Sequence, residues 1–320
     1  MKKFNEIFID KTKYGEKIQT SEYEKQGKHI IVDQGQAEIA GYTNREEGLF
    51  NEVPVIIFGD HTRLIKYIDE PFFLGADGVK VLRSKEKNAN YKYLYYALKS
   101  AKIPNTGYNR HFKWLKDVEI NYPDSVKQEK IVDILDRVSD VIEKRKAELS
   151  YLDTLIKARF VEMFGDPIIN SKGLETKELN EVLVLKAGDF TAASDISVEP
   201  TEINIYPCYG GNGIRGYVAE YNQEGEYSLV GRQGALSGNV QYATGKFKNT
   251  EHALLVKPII RMNSIWLNQL LLNLDLKRYQ TGAAQPGLSV KNLQDIQIIM
   301  VPIDEQRQFA AFVNEIDKSK

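Results

Sequence analysis

The chain has 320 residues, 42% of them hydrophobic and 27% charged, with 43 Lys and Arg against 44 Asp and Glu and a net charge of −1. That is the composition of a globular protein with room for two cores, and it excludes a chain that coats nucleic acid by bulk charge, though not one with a local basic face. A single cysteine, Cys208, no apolar run of membrane-spanning length and no signal-peptide pattern at the N-terminus point to the cytoplasm as the expected compartment.

From its first residues the sequence is written twice. Phe4-Asn5-Glu6-Ile7-Phe8-Ile9 returns as Leu179-Asn180-Glu181-Val182-Leu183-Val184, an offset of 175. The same offset carries Gly35, Gly41 and Tyr42 onto Gly210, Gly216 and Tyr217, and Thr106-Gly107 onto Thr281-Gly282. Three residues further in register, Lys113, Leu115, Asp117, Val118, Ile120 and Gln128 fall on Lys291, Leu293, Asp295, Ile296, Ile298 and Gln306. A period this long marks a duplicated domain, since stacked repeats run about 20–50 residues. Divergence between the anchors implies one scaffold presenting two surfaces.

In the first copy, β-like runs at 53–58 and 78–82 precede a short helix at 91–99, a Thr-Gly loop and a strand at 118–122. A long helix follows from about Val126 to Phe164. Ser125 and Gln128 have the spacing of a capping box at its start, and Gly165 with Pro167 ends it. Ile131, Leu135, Val138, Ile142, Leu149, Leu152, Ile156 and Met163 recur at alternating 3/4 spacing, with Arg145 and Arg159 at two seam positions. This is a coiled-coil period, and the strut would be roughly 58 Å long. The second copy repeats the pattern with strands at 226–230 and 253–256, a helix at 265–274 and a strand at 296–301. It ends on the start of a second seam helix, Phe309, Val313 and Ile316 standing in register with Ile131, Leu135 and Val138. The expected fold is α+β: two repeated mixed α/β domains, 1–124 and 166–302, joined by a coiled-coil-type helix at 125–165, with a short second helix at 303–320.

This arrangement resembles the specificity subunit of type I restriction–modification enzymes. The likeness is carried by Lys291-Asn292-Leu293-Gln294-Asp295-Ile296 running into Val301-Pro302-Ile303-Asp304-Glu305-Gln306 and Phe309-Ala310-Ala311-Phe312-Val313. Its first-copy counterpart runs from Leu115-Lys116-Asp117-Val118 to Gln128-Glu129-Lys130-Ile131, and Phe160-Val161-Glu162-Met163-Phe164-Gly165-Asp166-Pro167 closes the strut in the same style. The resemblance implies two target-recognition domains, each reading one half of a split, asymmetric sequence in double-stranded DNA. It also implies helices that space them and dock methyltransferase (modification) subunits and, through these, restriction subunits. Catalysis would lie in those partners, with no cofactor and no metal bound by this chain. The long seams would also let two chains self-associate.

DNA is bound by Lys and Arg on phosphate and read by Arg, Lys, Asn and Gln on base edges. In the first copy the candidates are Arg63 and Lys66 in one basic cluster, and Asn109, Arg110, His111 and Lys113 in a loop rich in cations and free of acids. In the second they are Arg215, Arg232, Gln233, Gln285, Ser289 and Lys291. A charge cluster by itself often marks only a solvated face; recurrence at equivalent positions of a repeat argues for a shared role. A tandem carbohydrate- or protein-binding chain that dimerises through its long helix is the alternative.

Signals for chemistry are weak. Gly211-Asn212-Gly213-Ile214-Arg215-Gly216 spells a dinucleotide-binding glycine pattern, but no helix start follows it, so cofactor binding is not expected there. No phosphate loop occurs, and His29, His61, His111 and His252 are scattered without metal-ligand spacing. Asp60, Asp69 and Asp77 could be assembled into a nuclease-like set, but the second copy places Arg232 and His252 near the equivalents of Asp60 and Asp77, and turn formation is the expected role.

Overall fold

The repeated Phe-Asn-Glu-Ile/Leu-Asn-Glu-Val phrase forms a single helical turn because its glutamate reaches back to the turn's start. Glu6 accepts the Lys3 N–H at 2.6 Å, and Glu181 accepts the Glu178 N–H at 2.9 Å. Each satisfies a donor that a helix start leaves without an intrahelical partner. The computed structural model describes residues 1–75, 77–107, 109–282 and 286–320. It divides into unit 1, Met1–Lys144, and unit 2, Arg145–Lys320, with the boundary inside the long helix.

Unit 1 runs β1 (Lys2–Lys3), α1 (Phe4–Ile7), β2 (Phe8–Asp10), β3 (His29–Val32), β4 (Gly41–Thr43), β5 (Val55–Gly59), β6 (Ile65–Ile68), β7 (Phe72–Leu74), β8 (Val79–Ser84), α2 (Tyr91–Lys99), α3 (Phe112–Leu115), β9 (Glu119–Ile120) and the start of α4 (Ser125–Phe164). Unit 2 follows with β10 (Thr176–Glu178), α5 (Leu179–Val182), β11 (Leu183–Ala187), β12 (Tyr206–Gly210), β13 (Gly213–Val218), β14 (Gln223–Gly231), β15 (Val240–Asn249), β16 (Ala253–Pro258), α6 (Ser264–Asn273), α7 (Val290–Leu293), β17 (Gln297–Ile299) and α8 (Ile303–Asp317). Short β1–β9 and β10–β17 ladders close the two units in the same way.

The main sheets share one plan. Unit 2 has six strands in the order β11-β16-β14-β15-β12-β13, with β12 and β15 parallel and the other pairs antiparallel. Unit 1 repeats that order in two pieces, β2-β8-β5-β6 and β7-β3-β4. Ile65 and Leu74, the outer limits of β6 and β7, lie 175 residues before Val240 and Asn249, the limits of β15. One continuous strand therefore answers to two. The interruption is Asp69-Glu70-Pro71: proline brings no N–H to a ladder, and all three are poor strand residues.

The cores follow the strand pattern. Val55, Ile56, Ile57 and Phe58 are all fully buried, as expected for a strand covered on both faces. Phe4, Phe8, Leu94, Leu98 and Leu115 pack on one side of it, and Ile30, Val32, Phe72 and Leu74 on the other. In unit 2, Leu254, Val256, Trp266, Leu267, Leu270 and Phe309 belong to one large cluster.

Helix α4 has 40 residues, roughly 60 Å at 1.5 Å per residue. The Ser125–Gln128 capping box does not form. Ser125 is already helical, Asp124 accepts the Lys127 N–H at 3.0 Å, and Gln128 Nε2 donates to the Pro123 carbonyl at 2.9 Å. The other end stops at Gly165, whose φ of +79° is the left-handed cap that glycine adopts without strain.

The seam is only partly used within each unit. In unit 1, Ile131 and Leu135 are half-buried, whereas Val138 and Ile142 are each 48% exposed. In unit 2, Ile156 is buried, and Leu149, Leu152 and Met163 are half-buried. The most enclosed side chains of this stretch are Phe160 and Phe164, outside the expected seam. Helix α8 runs antiparallel to it: Phe309 meets Phe160 at 5.4 Å, and Lys320 Nζ meets Asp153 at 2.7 Å. Both seam arginines sit at its rim. Arg145 donates to the Ser319 and Lys320 carbonyls at 3.0 and 3.1 Å, and Arg159 lies 5.9 Å over the Phe312 ring.

Candidate nucleic-acid interface

Strands β5 and β14 end on glycines, Gly59 and Gly231, that pair with the first residues of β8 and β16. Beyond each glycine the next residue is fixed through its main chain. Asp60 donates its N–H to the Gly78 carbonyl at 2.7 Å, and Arg232 donates to His252 at 3.0 Å. The Asp60 carbonyl accepts the His111 N–H at 2.8 Å, and the Arg232 carbonyl accepts that of Leu288 at 2.8 Å. The glycines are needed for close approach. A Cβ on Gly231 would stand 2.4 Å from the Gly211 oxygen, and one on Gly59 would stand 2.9 Å from Gln34 Cβ. In each unit four loops therefore come to one edge, through residues 33–36, 59–63, 77–78 and 109–111 in unit 1, and 210–215, 231–234, 250–252 and 286–288 in unit 2.

On the unit 1 edge, Arg110 and Lys113 are exposed and Arg63 is half-exposed at a φ of +62° in the β5–β6 turn. Asn109 is exposed, but its amide donates to the Thr106 carbonyl and so shapes its own loop. Lys113 lies 4.1 Å over the Trp114 ring. Two candidates are held inside the fold. Lys66 is 7% exposed, and its ammonium donates to the carbonyls of Asp33 and Ala37 at 2.8 and 2.6 Å. His111 is fully buried, with Nδ1 3.0 Å from the Asp60 carbonyl. Both act on the frame rather than on a ligand.

On the unit 2 edge, Arg215, Gln233 and Lys291 are exposed. The bridge between Gln233 and Gly287 brings the Arg232-Gln233 turn against residues 286–288. Arg232 is half-buried and donates through Nη1 to the Glu251 carbonyl at 3.1 Å. The Ser289 hydroxyl caps α7, accepting the Asn292 N–H at 3.2 Å. Gln285 lies outside the described residues.

Two residues of the edge are missing from the set expected on sequence grounds. Gln34 bridges the Asp77 carbonyl at 2.8 Å and the His61 N–H at 3.1 Å through its amide. The His252 ring has Nδ1 3.1 Å from Gln233 Oε1 and Nε2 3.0 Å from Glu251 Oε1. Gln34 stands beside Gly35 at the end of a β-like run, and His252 directly precedes the run at 253–256.

The carboxylates of this edge are engaged. Asp60 accepts the Phe112 N–H at 2.7 Å. Asp77 is held below the usual carboxylate range by its hydrogen bond to Lys17, with a smaller contribution from Arg110. Among the described residues no group of three or more His, Cys, Asp or Glu could hold a metal ion. The glycine pattern at 211–216 is the turn of the β12–β13 hairpin and the start of β13, without a helix after it, so the context that phosphate binding requires is missing. Among the described residues no helix is long and apolar enough to cross a membrane.

Comparison with known proteins agrees with the duplicated plan. The family model for the type I restriction modification DNA specificity domain matches twice, over residues 1–151 and 171–320. The specificity subunit of the Escherichia coli type I restriction enzyme EcoprrI is 38% identical over 194 residues, which cover 59% of this chain and 48% of that protein. A putative type I specificity subunit of Mycoplasma genitalium is 23% identical over 308 residues, 89% of this chain and 79% of the relative. Against the first of these the chain spans about half the relative's length. The crystal structure of a type I restriction–modification S subunit from M. genitalium shares the fold, with a TM-score of 0.59 at 20% identity, covering 99% of this chain and 89% of that one.

Proposed function

Because the chain belongs to the type I restriction modification DNA specificity family, we propose that it is the sequence-reading chain of a type I restriction–modification system, each unit recognising one half of a bipartite DNA target. Methyl transfer and cleavage belong to partner subunits, with which α4 and α8 assemble. The observation that carries this reading is the loop edge, in which three of the loops are joined by the same main-chain hydrogen bonds in both units but faced with different side chains. Asp60 and His61 in unit 1 stand where Arg232 and Gln233 stand in unit 2. An asymmetric target needs that combination of equal scaffolds and unequal readers. This reading displaces the tandem carbohydrate- or protein-binding alternative.

In this assignment Arg63, Arg110 and Lys113 of unit 1, and Arg215, Gln233 and Lys291 of unit 2, face the duplex. Lys66, His111 and Ser289 hold the loops in place. A side chain on a base edge contributes about 1–3 kcal/mol of discrimination, whereas a phosphate contact mainly sets the salt dependence. The test is co-expression with the modification subunits of the same system, followed by mapping of methylated bases in cells. Gln233→Ala should relax one half of the methylated motif and leave the other half intact. Unchanged selectivity in both halves would remove Gln233 from the readers.

A further inference from the structure

Three described residues other than glycine have a positive φ: Arg63, Asn170 and Asp275. Asparagine and aspartate tolerate that region, whereas arginine holds it under strain. The repeat shows the unstrained alternative. Arg63 donates its N–H to the Gly59 carbonyl at 2.7 Å, and Gly238 donates to that of Gly231 at 2.8 Å. The two positions therefore correspond, and Gly238 has a φ of +80°. A side chain at 238 would have no room, since its Cβ would stand 2.7 Å from the Lys277 nitrogen and 2.9 Å from the Leu276 carbonyl carbon. Those atoms belong to a 3₁₀ turn, Leu276–Tyr279. From the cap asparagine to the threonine of Thr-Gly that segment spans 263–281, two residues longer than its counterpart, 90–106. The shorter unit 1 segment forms no such turn. In its place is a cavity of about 460 Å³ between the start of β6, the end of α2 and residues 36–38. Its wall carries three cations, Arg63, Lys66 and Lys99, and one carboxylate, Glu38. Lys66 is turned to the Asp33 and Ala37 carbonyls, and Lys99 Nζ donates to the Tyr95 hydroxyl at 3.0 Å. Among the described residues the Arg63 guanidinium has no hydrogen bond or ion pair.

We propose that this cavity is a phosphate clamp for the DNA backbone, in which Arg63 and Lys99 hold one phosphodiester group beside the bases that unit 1 reads. The assignment rests on the DNA-reading function proposed above and deepens it: Arg63 positions the duplex and reads no base. A phosphodiester offers two charged oxygens, which the planar guanidinium fork can meet together, and the Lys99 ammonium adds a point charge. Lys66 adds positive potential from inside the fold without competing for the contact. Gln36, Thr62 and Arg63 belong both to the cavity wall and to the edge loops, and this continuity makes the duplex, not a free anion, the source of the phosphate. Unit 2 fills the same space with its own main chain, so only one half of the target is clamped in this way. The strained backbone at 63 is retained for that contact.

The test uses the complex with its modification subunits and a fluorescent duplex that carries its methylated motif, with Kd followed by anisotropy across a series of KCl concentrations. Arg63→Gly gives unit 1 the residue that unit 2 has. It should reduce the slope of log Kd against log salt by about one and weaken binding about fivefold or more at low salt. Both halves of the methylated motif should stay unchanged. The thermal midpoint of the free chain should be no lower than the parent's, because glycine adopts this φ without strain. Lys99→Gln, on a different element, should reduce the slope in the same direction. A slope kept by either variant overturns the clamp. So does a relaxed motif, which would make Arg63 a base reader, or a lowered midpoint, which would make it a packing residue. A midpoint raised by inorganic phosphate in the parent but not in Arg63→Gly, with the slope kept, would assign the cavity to a free anion instead. A parent complex that methylates no split motif overturns the DNA-reading function and the clamp with it, whereas these failures against a parent that does so overturn the clamp alone.

Discussion

Replacing Phe160 with alanine tests whether the end of α4 is an integral part of the unit 2 core. The side chain is 0% exposed, with ring centroids of Phe164 and Phe309 at 5.1 and 5.4 Å. Phe→Ala at such a site costs about 3–5 kcal/mol, combining lost transfer energy with the cavity left behind. With a urea slope of about 2 kcal/mol per molar, the unfolding midpoint should fall by roughly 1.5–2.5 M. The chain has two tryptophans, Trp114 in unit 1 and Trp266 in unit 2, so a Trp114→Phe background makes fluorescence a report on unit 2. Tyr151, on the same helix but 75% exposed, is the control; Tyr151→Ala should stay within about 0.5 kcal/mol of the parent. A Phe160→Ala midpoint shift below about 0.3 M, or one no larger than the control's, would refute the assignment of this side chain to the core.

Two further substitutions probe the frame beneath the loops. Burial is the largest influence on Lys66 and lowers its pKa from 10.5, against the opposing pull of Asp33. Between that lowered value and 10.5 the unfolded chain binds more protons than the folded one, so stability should rise with pH across this alkaline window. Lys66→Met should lose that rise when unfolding is measured against pH, and parallel profiles would exclude the effect. Gly188→Ala would set a Cβ 2.1 Å from the Asn249 oxygen and 2.3 Å from its carbonyl carbon. Both are main-chain atoms, so the end of β11 must shift, at a cost of about 1–3 kcal/mol. At about 2–4 °C per kcal/mol for a unit of this size, differential scanning calorimetry should register the loss, and an unchanged Tm would contradict so close an approach of the two strands.

Much of the architecture is legible because the duplication supplies two readings of each element. Helix α2 occupies 91–99 as expected, and α4 begins within a residue of its anticipated start. How the ends of α4 are used is not legible in the same way. A 3.5-residue pattern selects Ile156 and Met163, but the aromatic pair with the deepest burial is spaced by four, because α6 and α8 together approach that face. The capping box fails for a local reason: the helix starts one residue earlier, with the Asp124 carboxylate accepting the Lys127 N–H, so Ser125 is already inside the first turn. Lys66 and His111 look like contact residues because a basic side chain reads the same in sequence whether its nitrogen meets phosphate or a carbonyl. The carbonyls that capture Lys66 lie 29 and 33 residues away. Equally, the division of the unit 1 sheet needs the register of both copies to be recognised, although Pro71 stands in plain view.

At the centre of each edge the N–H and carbonyl of residues 60 and 232 join three loops through peptide groups, whichever side chains those residues carry. Stability and preference are thereby stored in different atoms. Substitution of the exposed side chain of Gln233 leaves those main-chain bonds in place. The side chains of both residues add to the same frame, the Asp60 carboxylate on the Phe112 amide and Arg232 Nη1 on the Glu251 carbonyl. The outward face of each edge can therefore vary in side-chain chemistry while the bonds that join its loops stay the same.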